Sequence, residues 1–244
     1  MPLDNWQRDL KDFFHRHWHR WHFVRALEWK AIETYLQPQP GERIADLACG
    51  LGYYTAVLSR KGCWVVGLDM HRGAMATAQR IFASQRSHFT VANAEHLPFP
   101  TAAFDKVVAV CALEHFTADV VALAEMQRIL RPGGRVVLSV DSFTWPGLGA
   151  KFLQTHRRRY AVVRYYTPED LRQKLSEVGF QWEAGQYVLN SAVSVGLTRL
   201  SFALRFPTYL LLYPLAYPLA RWADRRWGRT DAGLIYVACA QAQS

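Results

Sequence analysis

The chain has 244 residues, half of them apolar and 14% aromatic, which suits one folded α/β unit with additions and excludes a disordered protein. Its formal net charge is +9. The four cysteines, Cys49, Cys63, Cys111 and Cys239, form no CxxC pair and sit in or beside apolar runs, so they read as reduced core thiols and not as a disulfide scaffold.

The first residues, Met1 to Trp6, lack the basic-then-apolar pattern of an export signal, and the expected location is cytoplasmic. Residues 4–36 predict a helix, because Leu10, Phe14, Trp18, Trp21 and Val24 recur at three/four spacing before Pro38 and Pro40. His15, His19 and His22 would share a face, but no cysteine or carboxylate completes a ligand set, so no metal is expected. Residues 1–40 read as a basic, aromatic cap over a ligand site, with membrane contact open to it.

The stretch Glu42 to Gly52 is the one around which the rest is organised. Ile44 to Cys49 has the character of a strand buried on both faces, and Gly50 and Gly52 permit a tight turn with close backbone approach to a ligand. Tyr53 to Arg60 has helical spacing, so the turn would aim unsatisfied N–H groups above the sheet edge. Dinucleotides and S-adenosylmethionine both use such a unit. The dinucleotide fingerprint needs a small residue three positions after the second glycine, and Thr55 stands there.

Further strands are expected at Cys63–Asp69, His88–Ala94, Phe104–Cys111 and Arg135–Asp141, with helices at Ala74–Ala83 and Asp119–Leu130, the latter stopped by Pro132-Gly133-Gly134. Asp69 lies 19 positions after Gly50 at a strand tip, where a carboxylate can accept from both ribose hydroxyls. The plainer alternative for it is a solvated strand end.

The order Asp46-Leu-Ala-Cys-Gly-Leu-Gly52, then "NAEHLPFPTAAFDKVV", "LEHF", "EMQRILRPGGRVVLSV" and "YYTPEDLRQKLSEVGF", resembles the successive motifs of class I S-adenosylmethionine-dependent methyltransferases of the small-molecule group, which includes the ubiquinone/menaquinone C-methyltransferases. The resemblance covers residues 42–189 and a last strand at 233–241. It implies a Rossmann-like, doubly wound, seven-stranded and mostly parallel sheet: core 41–189 and 231–244, cap 1–40, and insertion 190–230. It also implies S-adenosylmethionine as cofactor. Asp46, Ala48, Gly50, Gly52 and Tyr53 would stand at the methionine end, Asp69 and Met70 at the ribose and adenine, Asn93 and Ala94 at the adenine edge, and Cys111 at the end of the fourth strand. Ala48 replaces a glycine of the pattern. Asn93 replaces an aspartate, and its amide oxygen can still accept from the adenine amino group.

An acceptor hydroxyl would need a base, for which His115 is the candidate, although Glu-His there can also simply open a helix. Tyr54 and Trp145 are candidate acceptor contacts; packing of the first helical turn is the alternative for Tyr53 and Tyr54. Residues 142–165 read as a substrate wall. Residues 151–165 hold five basic residues and no acid, and Arg157 and Arg158 in that run are candidates for an anionic head group. Residues 190–230 hold six arginines against Asp224, again +5, leaving −1 for all other residues. Their 15-residue uncharged run Phe206–Ala220 is too short and proline-broken to span a membrane. It reads as an interfacial anchor on an anionic membrane, with a lid or a dimer contact as alternatives.

The expected function is methyl transfer to a lipophilic small molecule. An RNA or protein methyltransferase is the alternative. It lacks support because Val110 to Glu114 carries no Asn/Asp-Pro-Pro-aromatic element and the basic segments are interleaved with aliphatic residues, so no nucleic-acid partner is expected. A non-catalytic binding module is the third reading.

Overall fold

The structure, a computed structural model, describes residues 12–13, 22–204 and 208–243. Seven strands form one sheet in the order β3-β2-β1-β4-β5-β7-β6. They are β1 (Arg43–Leu47), β2 (Trp64–Asp69), β3 (Ser87–Val91), β4 (Phe104–Val110), β5 (Leu130–Asp141), β6 (Phe180–Val188) and β7 (Ile235–Ala242). The pairings from β3 to β5 are parallel, and β7 runs antiparallel to both β5 and β6. Strand order reverses beside β1, which pairs with β2 on one side and β4 on the other. A crevice at the carboxyl ends of these strands is where doubly wound sheets take ligands.

The strands are buried on both faces, and their alternation sorts residues between two cores. Val107, Ala109, Val136, Leu138 and Val140 face one side, against α4 (Asp119–Ile129) and α6 (Pro168–Glu177). Ile44, Val108, Val137, Val237 and Cys239 face the other, beneath α1 (Phe23–Leu36). Helix α1 turns Phe23, Leu27, Ala31 and Ile32 to the sheet at helical spacing and ends at Gln37, which takes a left-handed conformation before Pro38. The expected cap helix is thus a core helix from residue 23 onward. Asp12 and Phe13 are also helical, and Asp12 pairs with Arg80; His15 and His19 lie outside the described residues.

Two expectations are corrected. The fifth strand begins at Leu130, five residues early, because Arg131 to Gly134 form a bulge: Phe104 pairs with Leu130 while Lys106 pairs with Arg135. A Cβ on Gly134 would stand 2.8 Å from the Arg131 carbonyl oxygen, so glycine lets the strand close up again. Within the expected substrate-wall loop, Ala150–Tyr160 forms helix α5. The insertion forms two helices, α7 (Ala192–Ala203) and α8 (Thr208–Trp227), and α8 continues through Pro214 and Pro218. Both prolines are on its exposed side, where water can satisfy the carbonyls they free.

Candidate functional site

The turn after β1 uses three left-handed residues, Ala48 (φ 53°), Gly50 (φ 55°) and Gly52 (φ 79°), and leads into α2 (Tyr53–Arg60). Gly50 N donates to Asp69 Oδ2 at 3.0 Å, and His71 N donates to Asp69 Oδ1 at 2.8 Å. Asp69 therefore ties the glycine turn to the entrance of α3 (Arg72–Phe82), and its carboxylate stands beside the turn as the 19-residue spacing predicts. No atom lies within 4 Å of the point a Cβ would occupy on Gly50, so the turn is open above that backbone. Met70 is 67% exposed beyond the tip of β2. Asn93 Oδ1 accepts from Glu95 N at 3.0 Å in the turn after β3, and Ala94 is buried beside it.

Asp46 is fully buried on the α2 side of β1, and its Oδ2 accepts from Thr55 Oγ1 at 2.6 Å. Burial pushes the carboxyl up to about 7, against the lowering effect of the Thr55 bond. The threonine that spoils the dinucleotide fingerprint thus has a structural partner. Tyr54 is buried and stacks on Trp29 at 4.5 Å, with Tyr53 edge-on to it at 5.3 Å. Tyr54 packs α2 against α1.

Beyond the ends of β4, β5 and β7 lies a cavity of about 260 Å³, roofed by α5 and α7 and closed at one end by His22, Val24 and Arg25. Phe143, Phe152, Tyr160 and Phe202 make its aromatic walls. Its floor is polar. Cys111 (φ 45°) follows β4, its N–H bonded to Ser139 Oγ at 2.9 Å and its thiol donating to Glu28 Oε1 at 2.9 Å. Burial raises that thiol well above the usual range. Ser139 Oγ donates to Glu28 Oε1 at 2.6 Å, and Arg25 donates to Glu28 Oε2 at 2.7 Å.

A single 3₁₀ turn, Leu113–His115, separates Glu114 from His115. The turn buries Glu114 completely and leaves His115 exposed on the cavity rim, with Nδ1 3.4 Å from the Ala161 carbonyl oxygen. Of the arginine run, Arg159 lines the cavity and lies over the Phe202 ring at 4.8 Å. Arg157 and Arg158 are exposed, Arg157 over the Tyr165 ring at 5.4 Å outside the cavity. The spacing on α5 explains this: Phe152, His156, Arg159 and Tyr160 share a face that the two intervening arginines do not. Trp145 is half-buried on the α1 side of the sheet and does not line the cavity. Sequence reasoning passed over Arg25, Glu28, Glu114, Asp141 and His156, which only the folded chain brings together.

The open glycine turn, Asp69 at its side and Asn93 at the next strand end fit S-adenosylmethionine as the cofactor. Gly50 and Gly52 would meet its methionine end, Asp69 and Met70 its ribose, and Asn93 its adenine.

Comparison with known proteins agrees with this geometry. Residues 45–138 match the family described as a methyltransferase domain. A demethylmenaquinone methyltransferase of Corynebacterium kroppenstedtii is 34% identical over 117 residues, and that match spans about half of each chain, 48% in both cases. One from Mycobacterium bovis is 31% identical over 208 residues, covering 84% of this chain and 77% of that protein. The solved structure of an S-adenosylmethionine dependent methyltransferase from Mesorhizobium loti superposes with a TM-score of 0.66 at 20% identity, covering 88% of this chain and 97% of that one, which shows the shared fold. With similarity running through most of its length, the chain belongs to the class I small-molecule S-adenosylmethionine-dependent methyltransferases.

Proposed function

We propose that the protein transfers a methyl group to a lipophilic hydroxyaromatic molecule of the quinol type. The observation that carries this reading is the aromatic-walled cavity with a polar floor, set at the ends of β4 and β5, β4 being the strand paired with β1. Its walls suit a flat ring system and its floor a ring hydroxyl. The demethylmenaquinone methyltransferases similar to this chain point to the same acceptor class.

When bound, S-adenosylmethionine supplies a methyl group on a sulfonium, and its leaving thioether is neutral. The protein's tasks are therefore alignment, exclusion of water and management of the acceptor's proton. The turn from Ala48 to Tyr53 and the Cys111 backbone would fix the donor end, while Phe143, Phe152 and Phe202 hold the ring plane. Arg159, at the cavity wall, replaces Arg157 and Arg158 as the cation available to an acceptor oxygen.

The membrane belongs to the same reading. On α8, Ala216, Ala220 and Ala223 are buried against the body, while Leu215 (73% exposed), Leu219 and Trp222 form an outward apolar stripe. Arg225 and Arg226 are exposed next to it. Among the described residues no helix is long and apolar enough to cross a membrane. An anionic bilayer surface fits a stripe of this kind, where a lipophilic acceptor would be found.

The test is incubation with methyl-labelled S-adenosylmethionine and a chemically reduced demethylated naphthoquinone, read by mass spectrometry. A single labelled methyl on the quinol is expected. No transfer to any quinol, with transfer to a non-aromatic amine instead, overturns the reading.

A further inference from the structure

Among the described residues, two acidic groups on the cavity floor have no cation of their own. Glu114 is fully buried and lines the cavity. Its Oε1 accepts from Asp141 N at 3.3 Å, and its Oε2 has no hydrogen-bond partner among the described residues. Asp141 ends β5 beside it: one oxygen of each carboxyl and Cys111 Sγ all lie within 4.8 Å of one another. Arg25, the cation facing this floor, is engaged by Glu28, whose other oxygen already receives Ser139 and Cys111. From α5, His156 Nε2 stands 3.8 Å from Asp141 Oδ2, and its Nδ1 meets Tyr165 Oη at 3.1 Å. Burial holds His156 down to about 4, with His115 and Arg25 adding to the effect, so it offers no positive charge at neutral pH. Among the described residues, His22, His115, Arg159 and Tyr160 complete the titratable or charged groups around the cavity.

Two ionised carboxylates this close in a buried site repel strongly, and holding one proton between them relieves the repulsion. Burial raises both groups, Asp141 to about 7 and Glu114 well above the carboxylate range, with Asp141 adding to the effect on Glu114.

We propose that Glu114 and Asp141 act as a proton-sharing carboxyl pair that binds and deprotonates the hydroxyl of the methyl acceptor. The proposal rests on the hydroxyaromatic reading above. The acceptor's O–H bond breaks and its proton forms an O–H bond on the ionised member of the pair, while the electrons stay with the acceptor. That electron pair forms the new bond to the methyl carbon, and the electrons of the breaking S–C bond remain on sulfur. If a ring carbon attacks, its own proton leaves next and the aromatic hydroxyl is regenerated; if oxygen attacks, no second proton is lost. Either way one proton is released to solvent. The orphan oxygen of Glu114 holds the acceptor hydroxyl, and Asp141, the ionised member while Glu114 keeps the shared proton, receives the proton; His115 on the rim is not needed for the step.

The first test is infrared difference spectroscopy of the full-length protein with S-adenosylhomocysteine. In an Asp46→Asn background, which removes the other buried carboxyl raised to about 7, the protein should show the carbonyl stretch of a protonated carboxyl at pH 7, fading as the pH is raised; Glu114→Gln should remove it and Asp141→Asn should make it fade at lower pH. The second compares fluorescence binding of 1-naphthol with that of its methyl ether. The parent should prefer the naphthol roughly tenfold, as expected of an unpaired buried acceptor, and Glu114→Leu should erase the preference. Affinity for S-adenosylhomocysteine, read by calorimetry, should be unchanged in all three variants. A parent that methylates a quinol while its Asp46→Asn form shows no protonated carboxyl at pH 7 overturns the pair alone. A parent that does not bind S-adenosylhomocysteine overturns the functional reading instead.

Discussion

At Asp46 a carboxyl is sealed inside the sheet with one hydroxyl for company, and this has a consequence for stability. Its folded-state value of about 7 lies above the ordinary 3.8, so the folded chain holds the proton more tightly than the unfolded one. The stability it contributes is complete below about pH 4 and is lost as the pH rises through about 7. Asp141 has the same sign, whereas His22 and His156, held down to about 4, lose stability as the pH falls below their ordinary 6.5. Asp46→Asn keeps an acceptor for Thr55 and removes one titration. Urea denaturation across pH should show a flatter decline above pH 4, with a difference of up to about 4 kcal/mol at high pH; an unchanged slope would contradict the burial argument. Asp69→Ala should weaken S-adenosylhomocysteine binding by roughly 1–3 kcal/mol in calorimetry, through lost acceptance of hydroxyls and of the Gly50 N–H. Asp69 was legible because a buried strand spells out its position. Glu114 was not, because Glu-His reads as a helix opening, and only the 3₁₀ turn decides that the glutamate faces inward and the histidine the rim. Arg159 stayed hidden among Arg157 and Arg158 for as long as Ala150–Tyr160 read as a loop.

Among the elements, those with an unambiguous period were readable. Helix α2 has the expected bounds, Tyr53–Arg60, and β1, β2 and β4 end within two residues of expectation. The failures come from residues with two meanings. Pro132-Gly133-Gly134 usually stops a helix, but here it is a bulge inside β5; the prolines of α8 usually break a helix, but here they face outward. The glycine turn is the element with the least tolerance. A Cβ on Gly52 would collide with the Phe89 ring, in a conformation that disfavours side chains. Gly52→Ala should cost about 2–4 kcal/mol by chemical denaturation, combining overpacking and strain, while Gly50→Ala, with open space above it but the same left-handed backbone, should cost only the strain, about 1 kcal/mol, and weaken cofactor binding. Asp224 fixes α8 to α7: it accepts from Leu189 N at 3.1 Å, Ser191 Oγ at 2.6 Å and Ser194 Oγ at 2.5 Å. Asp224→Ala leaves those donors buried and should destabilise the chain by about 3 kcal/mol.

Across the whole molecule, the doubly wound, seven-stranded, mostly parallel sheet was legible because its successive motifs resemble those of the class I family, while the two helices of the insertion were not. Helix α7 contributes Thr198, Ser201 and Phe202 to the cavity, so part of 190–230 is one of its walls. Helix α8 stands behind it with Leu215, Leu219 and Trp222 turned outward. If that face docks on lipid, apolar burial supplies most of the affinity and Arg221, Arg225 and Arg226 add a salt-sensitive part of about 1 kcal/mol each near an anionic surface. Co-sedimentation with phosphatidylglycerol-containing vesicles should then rise with anionic lipid and fall with salt. The triple variant Leu215→Gln, Leu219→Gln, Trp222→Gln changes only exposed positions, so it should keep its fold and its affinity for S-adenosylhomocysteine while losing most vesicle binding. It should also lose turnover on a vesicle-embedded quinol but not on a short-chain soluble one, because only the former must be collected from the bilayer. A parent protein that stays in the supernatant with anionic vesicles at low salt rules out the membrane role of α8, and the methyl-transfer chemistry of the cavity would stand without it.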